Sequence, residues 1–422
     1  MAVTESKRSA RPTEQIAPLA AEAPPGGRLC LAVVAIYLIA MAIACVVIRS
    51  PGVVPSGNET TWDRSIFTSI NAATLTGFQQ TMGIREMAAA GAGGPALLFG
   101  MTIFGSLTSL FVGGVAGARV LRMPHTPVQI ALAAVTAEII AVVAGAAALA
   151  GANTSLFDAL LQAASAFGNS GLWTGAYPSM SAPASYLVLL PLAVLGGLGL
   201  PVLIEGTNAM FGRATLSRHS RIVLMLTALA YLAGLALLML AQAPAAAGGG
   251  WDAWRDTLSS CTIAAVDTRT AGLPFQSPAA FTAAGQWLLM LLMLVGASPA
   301  GTAGGLKLTT LWQLLKGTGD ALAGRAVARA TGIAAVWVAG YGVALLIGVM
   351  LLVQVQSQIP ADRLLFLAIS ALSNAGLSHD PVSITGPGLL VLSALMLFGR
   401  LAPLAILWWM ARTTVGAEVL VG

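Results

Sequence analysis

Four short glycine-containing segments of similar pattern lie roughly a hundred residues apart along the chain. Each follows about a dozen residues of moderate hydrophobicity that begin with polar or acidic residues, as Thr61 and Asp63 do before the first segment. Such residues are typical of helix N-termini, where a side-chain oxygen accepts a hydrogen bond from a free backbone N–H. Glycine then allows the backbone to turn and present its carbonyl oxygens. The four segments span residues 74–78, 168–172, 269–273 and 373–377.

The composition places the chain in a membrane. Hydrophobic residues make up 57% of the sequence and charged residues 9%, whereas a soluble domain carries roughly 25% charged residues. Several uncharged stretches exceed the roughly 20 apolar residues that a helix needs to cross a bilayer. They cover residues 29–48, 95–118, 159–204, 222–251, 273–306 and 330–360.

The distribution of charge predicts the topology of these spans. By the positive-inside rule, the connections rich in Lys and Arg are cytoplasmic, and so are both termini. This distribution accounts for the net charge of +5 without nucleic acid as a partner. The alternate connections carry most of the acids, and an acidic outer mouth concentrates cations. The basic clusters lie in residues 1–28, 119–122, 213–221 and 307–329 and at Arg412.

The segment that precedes each glycine loop is too short to span the bilayer and is expected to enter the membrane and return. Such backbone is allowed at membrane depth only where it lines water or is buried in protein. Its negative C-terminal end favours a cation at the membrane centre. A ring of carbonyls that replaces the water shell of the ion is the known solution for potassium selectivity, and four loops can complete such a ring. For any single loop, a glycine that only packs helices remains the alternative.

These features predict an all-α membrane protein of four membrane-pore-membrane repeats around one pore. Eight transmembrane helices and four re-entrant pore half-helices are expected, after a disordered cytoplasmic tail of residues 1–27. The predicted repeats are 28–118, 126–206, 220–316 and 328–412, and the third has an interrupted second helix.

The four loops, the glycine-rich segment 296–307 and Gly399–Arg400–Leu401 resemble, in the same order, the Trk/Ktr/HKT superfamily of potassium transporters. The eight-helix Ktr type is the most similar, and the resemblance covers roughly residues 28–412. It implies a homodimer in a bacterial inner membrane. In this family, carbonyls before each filter glycine coordinate the ion. The implied potassium-binding residues are Leu75, Thr76 and Gly77; Asn169, Ser170 and Gly171; Thr270, Ala271 and Gly272; and Asn374, Ala375 and Gly376.

Segment 296–307 is expected to break the second helix of the third repeat, because it is rich in Gly, Ser and Pro. Unwound backbone is costly in lipid, so the segment should lie inside the pore beneath the filter. A phosphate-binding loop would need a contiguous Gly-Lys-Ser/Thr ending after a strand. The resemblance instead implies an intramembrane gate, formed by Gly296, Ser298, Pro299, Gly301, Thr302, Gly304, Gly305 and Lys307 together with Arg400.

Two isolated charges lie within apolar spans, Arg400 and Glu138. Isolated intramembrane charges are functional candidates by default. The family resemblance implies a gate or pore-barrier role for Arg400, and an arginine that snorkels to the membrane edge is the alternative. Glu138 could bind a coupling ion or be satisfied by a neighbouring helix, and it is not placed in the predicted site.

The sequence therefore predicts the pore-forming subunit of a potassium uptake system, with K+ as the transported ion and no organic cofactor. The resemblance adds membrane lipid and a cytoplasmic nucleotide-binding ring as partners. In plant relatives, serine at the first filter glycine is associated with sodium preference, so Gly77 favours potassium. The alternatives are a subunit of a potassium-pumping ATPase and a sodium-permeable or sodium-coupled transporter. No enzyme is expected, because no catalytic motif occurs and all three histidines lie outside the apolar spans.

Overall fold

The computed structural model describes residues 26–54, 60–79, 93–151, 154–174, 177–269, 271–379, 384–413 and 419–421. Within these ranges the protein is built from helices joined by short connections, and the predicted all-α fold class is confirmed. Residues 1–25 of the predicted tail and the predicted filter residue Thr270 lie outside the described residues. The helices are α1 (Gly27–Val47), α2 (Trp62–Ala73), α3 (Gly93–Val120), α4 (Pro127–Leu149), α5 (Leu156–Gly168), α6 (Leu190–Leu198), α7 (Leu200–Met210), α8 (Arg218–Ala246), α9 (Gly250–Asp267), α10 (Ala283–Leu294), α11 (Leu308–Leu322), α12 (Arg329–Val355), α13 (Ala361–Leu372) and α14 (Pro387–Thr413).

Six of the described helices are long and apolar enough to cross a membrane: α1, α3, α4, α8, α12 and α14. The bent pair formed by α6, with the π-helical turn Ser185–Leu189 before it, and α7 passes the same test when the two helices are taken together as one broken span. The eighth predicted span, in the third repeat, is divided into α10 and α11, neither of which is long enough alone. The division falls at the predicted glycine-rich break.

Each predicted repeat contains a short helix between two longer elements. These short helices are α2, α5, α9 and α13, and α2, α5 and α13 have only 12 or 13 residues. Such a helix is roughly 18–20 Å long, well below the roughly 30 Å of a bilayer core. Each has an aspartate in its first turn: Asp63, Asp158, Asp252 and Asp362. The interaction of these acids with the helix dipole stabilises the N-terminal ends.

The core of the protein surrounds these short helices. Phe67 on α2, Phe167 on α5 and Phe366 on α13 are all buried. By contrast, the outer faces of α1, α4, α8 and α12 expose leucine, isoleucine and valine side chains. Exposed apolar faces of this size are unfavourable in water, but the hydrocarbon of a lipid bilayer can cover them. The fold therefore places the four pore half-helices at its centre and the long spans around them.

Candidate functional site

The four loops that follow the short helices surround one axis. A Cβ atom placed on any of the four predicted filter glycines would collide with a carbonyl oxygen of the next loop in chain order, and the fourth loop faces the first. The four loops therefore form a closed ring in which no side chain fits at the glycines. The distance from the added Cβ atom to the facing carbonyl oxygen is 1.7 Å from Gly77 to Ser170 O, 2.4 Å from Gly171 to Gly272 O, 2.1 Å from Gly272 to Ala375 O, and 1.8 Å from Gly376 to Thr76 O.

A shared backbone conformation turns the chain at the end of three half-helices. Leu75, Asn169 and Asn374 are left-handed, with φ of 57°, 53° and 51°. The next N–H in each loop bonds a carbonyl five residues back, as in the bond from Ser170 N to Ser165 O at 2.9 Å. This pattern ends a helix abruptly. All four filter glycines also have positive φ, between 59° and 84°.

Side chains behind the ring fix the loops on their outer side. The Asn71 amide brackets Phe78, because its Nδ2 donates to Phe78 O and its Oδ1 accepts from Phe78 N, both at 2.9 Å. In the third loop, Asp267 Oδ1 accepts from Leu273 N at 2.8 Å. These contacts hold the residue just past the glycine in place in the first and third loops.

Two tyrosines hold the ends of pore half-helices from the long spans. The Tyr37 hydroxyl on α1 donates to Ala73 O at 2.7 Å, and the Tyr341 hydroxyl on α12 lies 2.8 Å from Ser373 Oγ. Sequence reasoning did not single out either residue. The available signal was a lone hydroxyl in the middle of an apolar span, since buried tyrosine hydroxyls usually find a partner.

The predicted gate segment lies directly beneath two of the half-helices. Thr302 Oγ1 donates to Phe167 O at the end of α5 at 3.0 Å and accepts from Asn169 Nδ2 at 2.8 Å. A Cβ atom on Gly304 would lie 2.1 Å from Ser373 O at the end of α13. The segment therefore contacts the end of the second half-helix through the Thr302 side chain and the end of the fourth through backbone that only glycine permits.

A second broken helix, which the sequence analysis did not predict, binds the gate segment. α6 and α7 meet at an angle of 109° around Gly199, whose φ is 86° and ψ 147°. The backbone of the gate segment provides partners for the N–H and C=O groups freed at this break, because Leu200 N donates to Ala300 O at 3.0 Å. In turn, Ser298 N donates to Gly197 O at 3.0 Å. Two unwound stretches thus satisfy each other inside the protein, as membrane depth requires.

Comparisons with known proteins agree with this arrangement. The family TrkH, described as "Cation transport protein", matches residues 256–412. The Ktr system potassium uptake protein B of Vibrio alginolyticus is 27% identical over 285 residues, 62% of this chain and 60% of that protein. The protein of the same name from Bacillus subtilis (strain 168) is 30% identical over 281 residues, 62% of each chain. The resemblance to the Trk/Ktr superfamily that the sequence analysis stated is thus supported. Its matched region spans about three-fifths of each of these two relatives.

A solved structure extends the likeness to almost the whole chain. The potassium transporter TrkH from Vibrio parahaemolyticus superposes with a TM-score of 0.70 over 90% of this chain and 84% of that one, at 18% identity. At this identity the likeness concerns the fold. The matched family and the relatives are named as transport proteins, and the expectation that the chain is not an enzyme is confirmed.

Three buried cationic side chains bind backbone carbonyls of the loops and the gate segment. Arg400 on α14 donates from Nε to Thr74 O at 2.7 Å and from an Nη to Thr302 O at 2.5 Å. Lys307 Nζ donates to Ala303 O at 2.5 Å. Arg269, which the sequence analysis did not name, donates from an Nη to Gly296 O at 3.1 Å. Arg400 thus joins the first filter loop to the gate segment, and Arg269 joins the third.

Lys307 and Arg400 also line one small cavity next to the gate segment, together with Ser109, Ala300 and Pro403. Its volume of about 20 Å³ is room for one water molecule. Both side chains are at least 95% buried. The cavity therefore brings the Lys307 and Arg400 side chains together beside the gate segment.

Proposed function

We propose that the chain is the pore-forming subunit of a potassium uptake system. K+ enters through the ring of four glycine loops, and segment 296–307 gates its passage. The observation that carries the proposal is the closed ring, in which each filter glycine faces a carbonyl oxygen of the next loop. A closed ring of carbonyls can replace the hydration shell of one ion, whereas a set of glycines that only pack helices would not need to close around an axis.

The direction of the pore half-helices supports a cation as the transported species. In each half-helix the acidic first turn is the N-terminal end, and the C-terminus leads into the ring. The partial negative charge of the C-terminal ends therefore favours a cation in the ring. At the start of α2, the largest single effect on the pKa of Asp63 is burial, which raises it. Hydrogen bonds from Thr61 and from the Gly386 N–H, at 2.9 Å, outweigh burial and lower it. This carboxylate therefore stays charged at neutral pH and attracts cations to the mouth.

Gating follows from the contacts of the segment beneath the ring. Arg400 and Lys307 supply the positive barrier, and their carbonyl partners belong to the first filter loop and to the gate segment itself. Conduction then requires the gate segment to move away from the axis. A change of this kind can begin at the α6–α7 break, because the segment's N–H groups bond the carbonyls of that break.

The complete system includes the partners that the family resemblance implies. We propose a homodimer in the bacterial inner membrane, with both termini in the cytoplasm and a nucleotide-binding ring docked on the basic cytoplasmic connections. The relatives are named as protein B of Ktr systems, which fits a component that acts with another subunit. A sodium-permeable transporter and a subunit of a potassium-pumping ATPase are the alternatives.

Uptake of potassium tests this proposal. The chain is expressed in bacteria that lack their own potassium uptake, with and without a candidate cytoplasmic partner, and K+ and Na+ uptake are measured at limiting external K+. We expect K+ uptake well above that of cells with empty vector, and little effect of excess Na+. Uptake of Na+ at equal rates would favour the sodium-permeable alternative. Absence of uptake with membrane expression and partner present would contradict conduction.

A further inference from the structure

Glu138 is a buried acid that the proposed conduction pathway does not use. It lies at the middle of the 23-residue α4, and its side chain is only 3% exposed. A carboxylate at such a depth is costly unless a cation or several donors compensate it. The state of this carboxyl group therefore depends on what surrounds it.

One hydroxyl group is the polar contact of Glu138. Ser106 on α3 is fully buried, and its Oγ lies 2.5 Å from Glu138 Oε2. The other carboxyl oxygen, Oε1, is buried and has no hydrogen-bond partner among the described residues. A single hydroxyl and a free buried oxygen suit a neutral carboxyl group far better than an anion.

The pair lies one layer behind the filter. Ser106 packs against the last residue of α5, because a Cβ atom on Gly168 would lie 3.8 Å from Ser106 Cβ. Its neighbour Gly105 contacts the end of α2, since a Cβ atom there would lie 2.1 Å from Ala73 O. A charge on Glu138 would therefore act on the ends of the two half-helices that carry the first two filter loops.

Neighbouring elements bring few ionisable groups towards this carboxyl group. Arg119 on α3 is 13 residues from Ser106, roughly 20 Å along the helix. Asp158, in the first turn of α5, accepts from Ser155 and Thr174, and Tyr186 on the π-helical turn lies close to Met180 O and Ser259. Glu205 on α7 accepts from Ser217 and Ser220. Each of these groups has other partners or lies far from Ser106.

We propose that Glu138 is a proton-binding site coupled to the ion in the filter. It carries a proton when the filter is empty, and loss of this proton strengthens K+ binding. The inference rests on the proposed function. An anion one layer behind the filter attracts K+, so affinity rises with pH as Glu138 ionises. By reciprocity, K+ binding must then release protons from Glu138.

K+ binding measured against pH tests this coupling. The full chain, purified in lipid nanodiscs, is titrated with K+ by calorimetry from pH 6 to pH 9, in buffers of different ionisation enthalpy that report proton release. The variants are Glu138→Gln, which is neutral throughout, and Glu205→Gln as the matched control on a neighbouring helix. We expect wild-type affinity to rise about tenfold from the low-pH to the high-pH limit, which corresponds to a coupling free energy of about 1.4 kcal/mol.

The expected pattern has three parts. Wild type and Glu205→Gln release protons on binding K+, and their affinity rises with pH. Glu138→Gln binds K+ with the low-pH affinity of wild type throughout and lacks this release. The inference is overturned if Glu138→Gln keeps the pH dependence of wild type, or if wild type binds K+ without pH dependence or proton release.

The design also separates this inference from the proposed function. If neither wild type nor any variant binds K+ at any pH, the proposed function fails. If wild type binds K+ with no proton release, only the coupling fails. Should Glu138→Gln not fold, absence of proton release by wild type still overturns the coupling, because that measurement needs no variant.

Discussion

Gly77→Ser is the substitution whose effect follows most directly from the ring of loops. A Cβ atom at Gly77 would lie 1.7 Å from Ser170 O, whereas ordinary contact begins at 3.4 Å. The first and second loops must therefore separate by about 1.7 Å. In addition, φ at this position is 84°, and a residue with a side chain in left-handed conformation costs about 1–2 kcal/mol.

A displacement of this size changes the distances at which the carbonyl oxygens can hold an ion. We expect the K+ affinity of uptake to fall at least tenfold, about 1.4 kcal/mol, and discrimination against Na+ to weaken. The assay is K+ uptake at a series of external K+ concentrations, with and without competing Na+, at matched membrane expression.

Gly324→Ser is the matched control. Gly324 also has a left-handed φ, 68°, but nothing lies within 4 Å of a Cβ atom placed there. The control therefore carries the same backbone strain without the collision, and its uptake should equal that of the parent. Equal loss in both variants, or unchanged affinity and selectivity in Gly77→Ser, would refute the assignment of Gly77 to the filter.

Further predictions concern the gate and the support of the ring. Arg400→Gln should raise K+ flux measured without the cytoplasmic partner, because it removes a barrier charge, and Arg400→Lys should keep that flux low; equal flux in both would contradict the barrier. Gly199→Ala should destabilise the protein by about 1–3 kcal/mol in thermal unfolding, since its Cβ atom would lie 2.3 Å from Pro299 O; unchanged stability would contradict the pairing of the two breaks. Asn71→Ala should weaken K+ affinity, because it leaves the Phe78 N–H unpaired; uptake equal to the parent would show that this bracket is dispensable.

The local features of the fold could be predicted from the sequence. The four half-helices, and the break between α10 and α11, are encoded by residues close together in the chain: polar starts, short moderately apolar runs, and glycines. The break at Gly199 was missed because Leu198 and Leu200 continue an apolar run on both sides. Its signal was Pro201 two residues after the glycine, a common pattern at the start of a new helix.

The contacts between the filter loops and the gate segment could not be predicted from the sequence in this way. Arg400 bonds Thr74 across 326 residues, and Asn169 bonds Thr302 across 133. No local pattern encodes such a pair, because the partners meet only when the four repeats close around the axis. The same reason hid Ser106 as the partner of Glu138. The family resemblance placed Arg400 and Thr302 in one gate, but it indicated neither their contact nor the contact of Arg400 with Thr74.

The position of a permeant ion tests the central claim most directly. Rb+, a substitute for K+ with strong anomalous scattering, would be soaked into crystals of the full chain, and its sites located by anomalous difference maps. The account predicts a peak on the axis of the ring, within reach of the carbonyl oxygens of Thr76, Ser170 and Ala375. Rb+ sites only elsewhere, with the four loops intact and the axis empty at saturating Rb+, would contradict it.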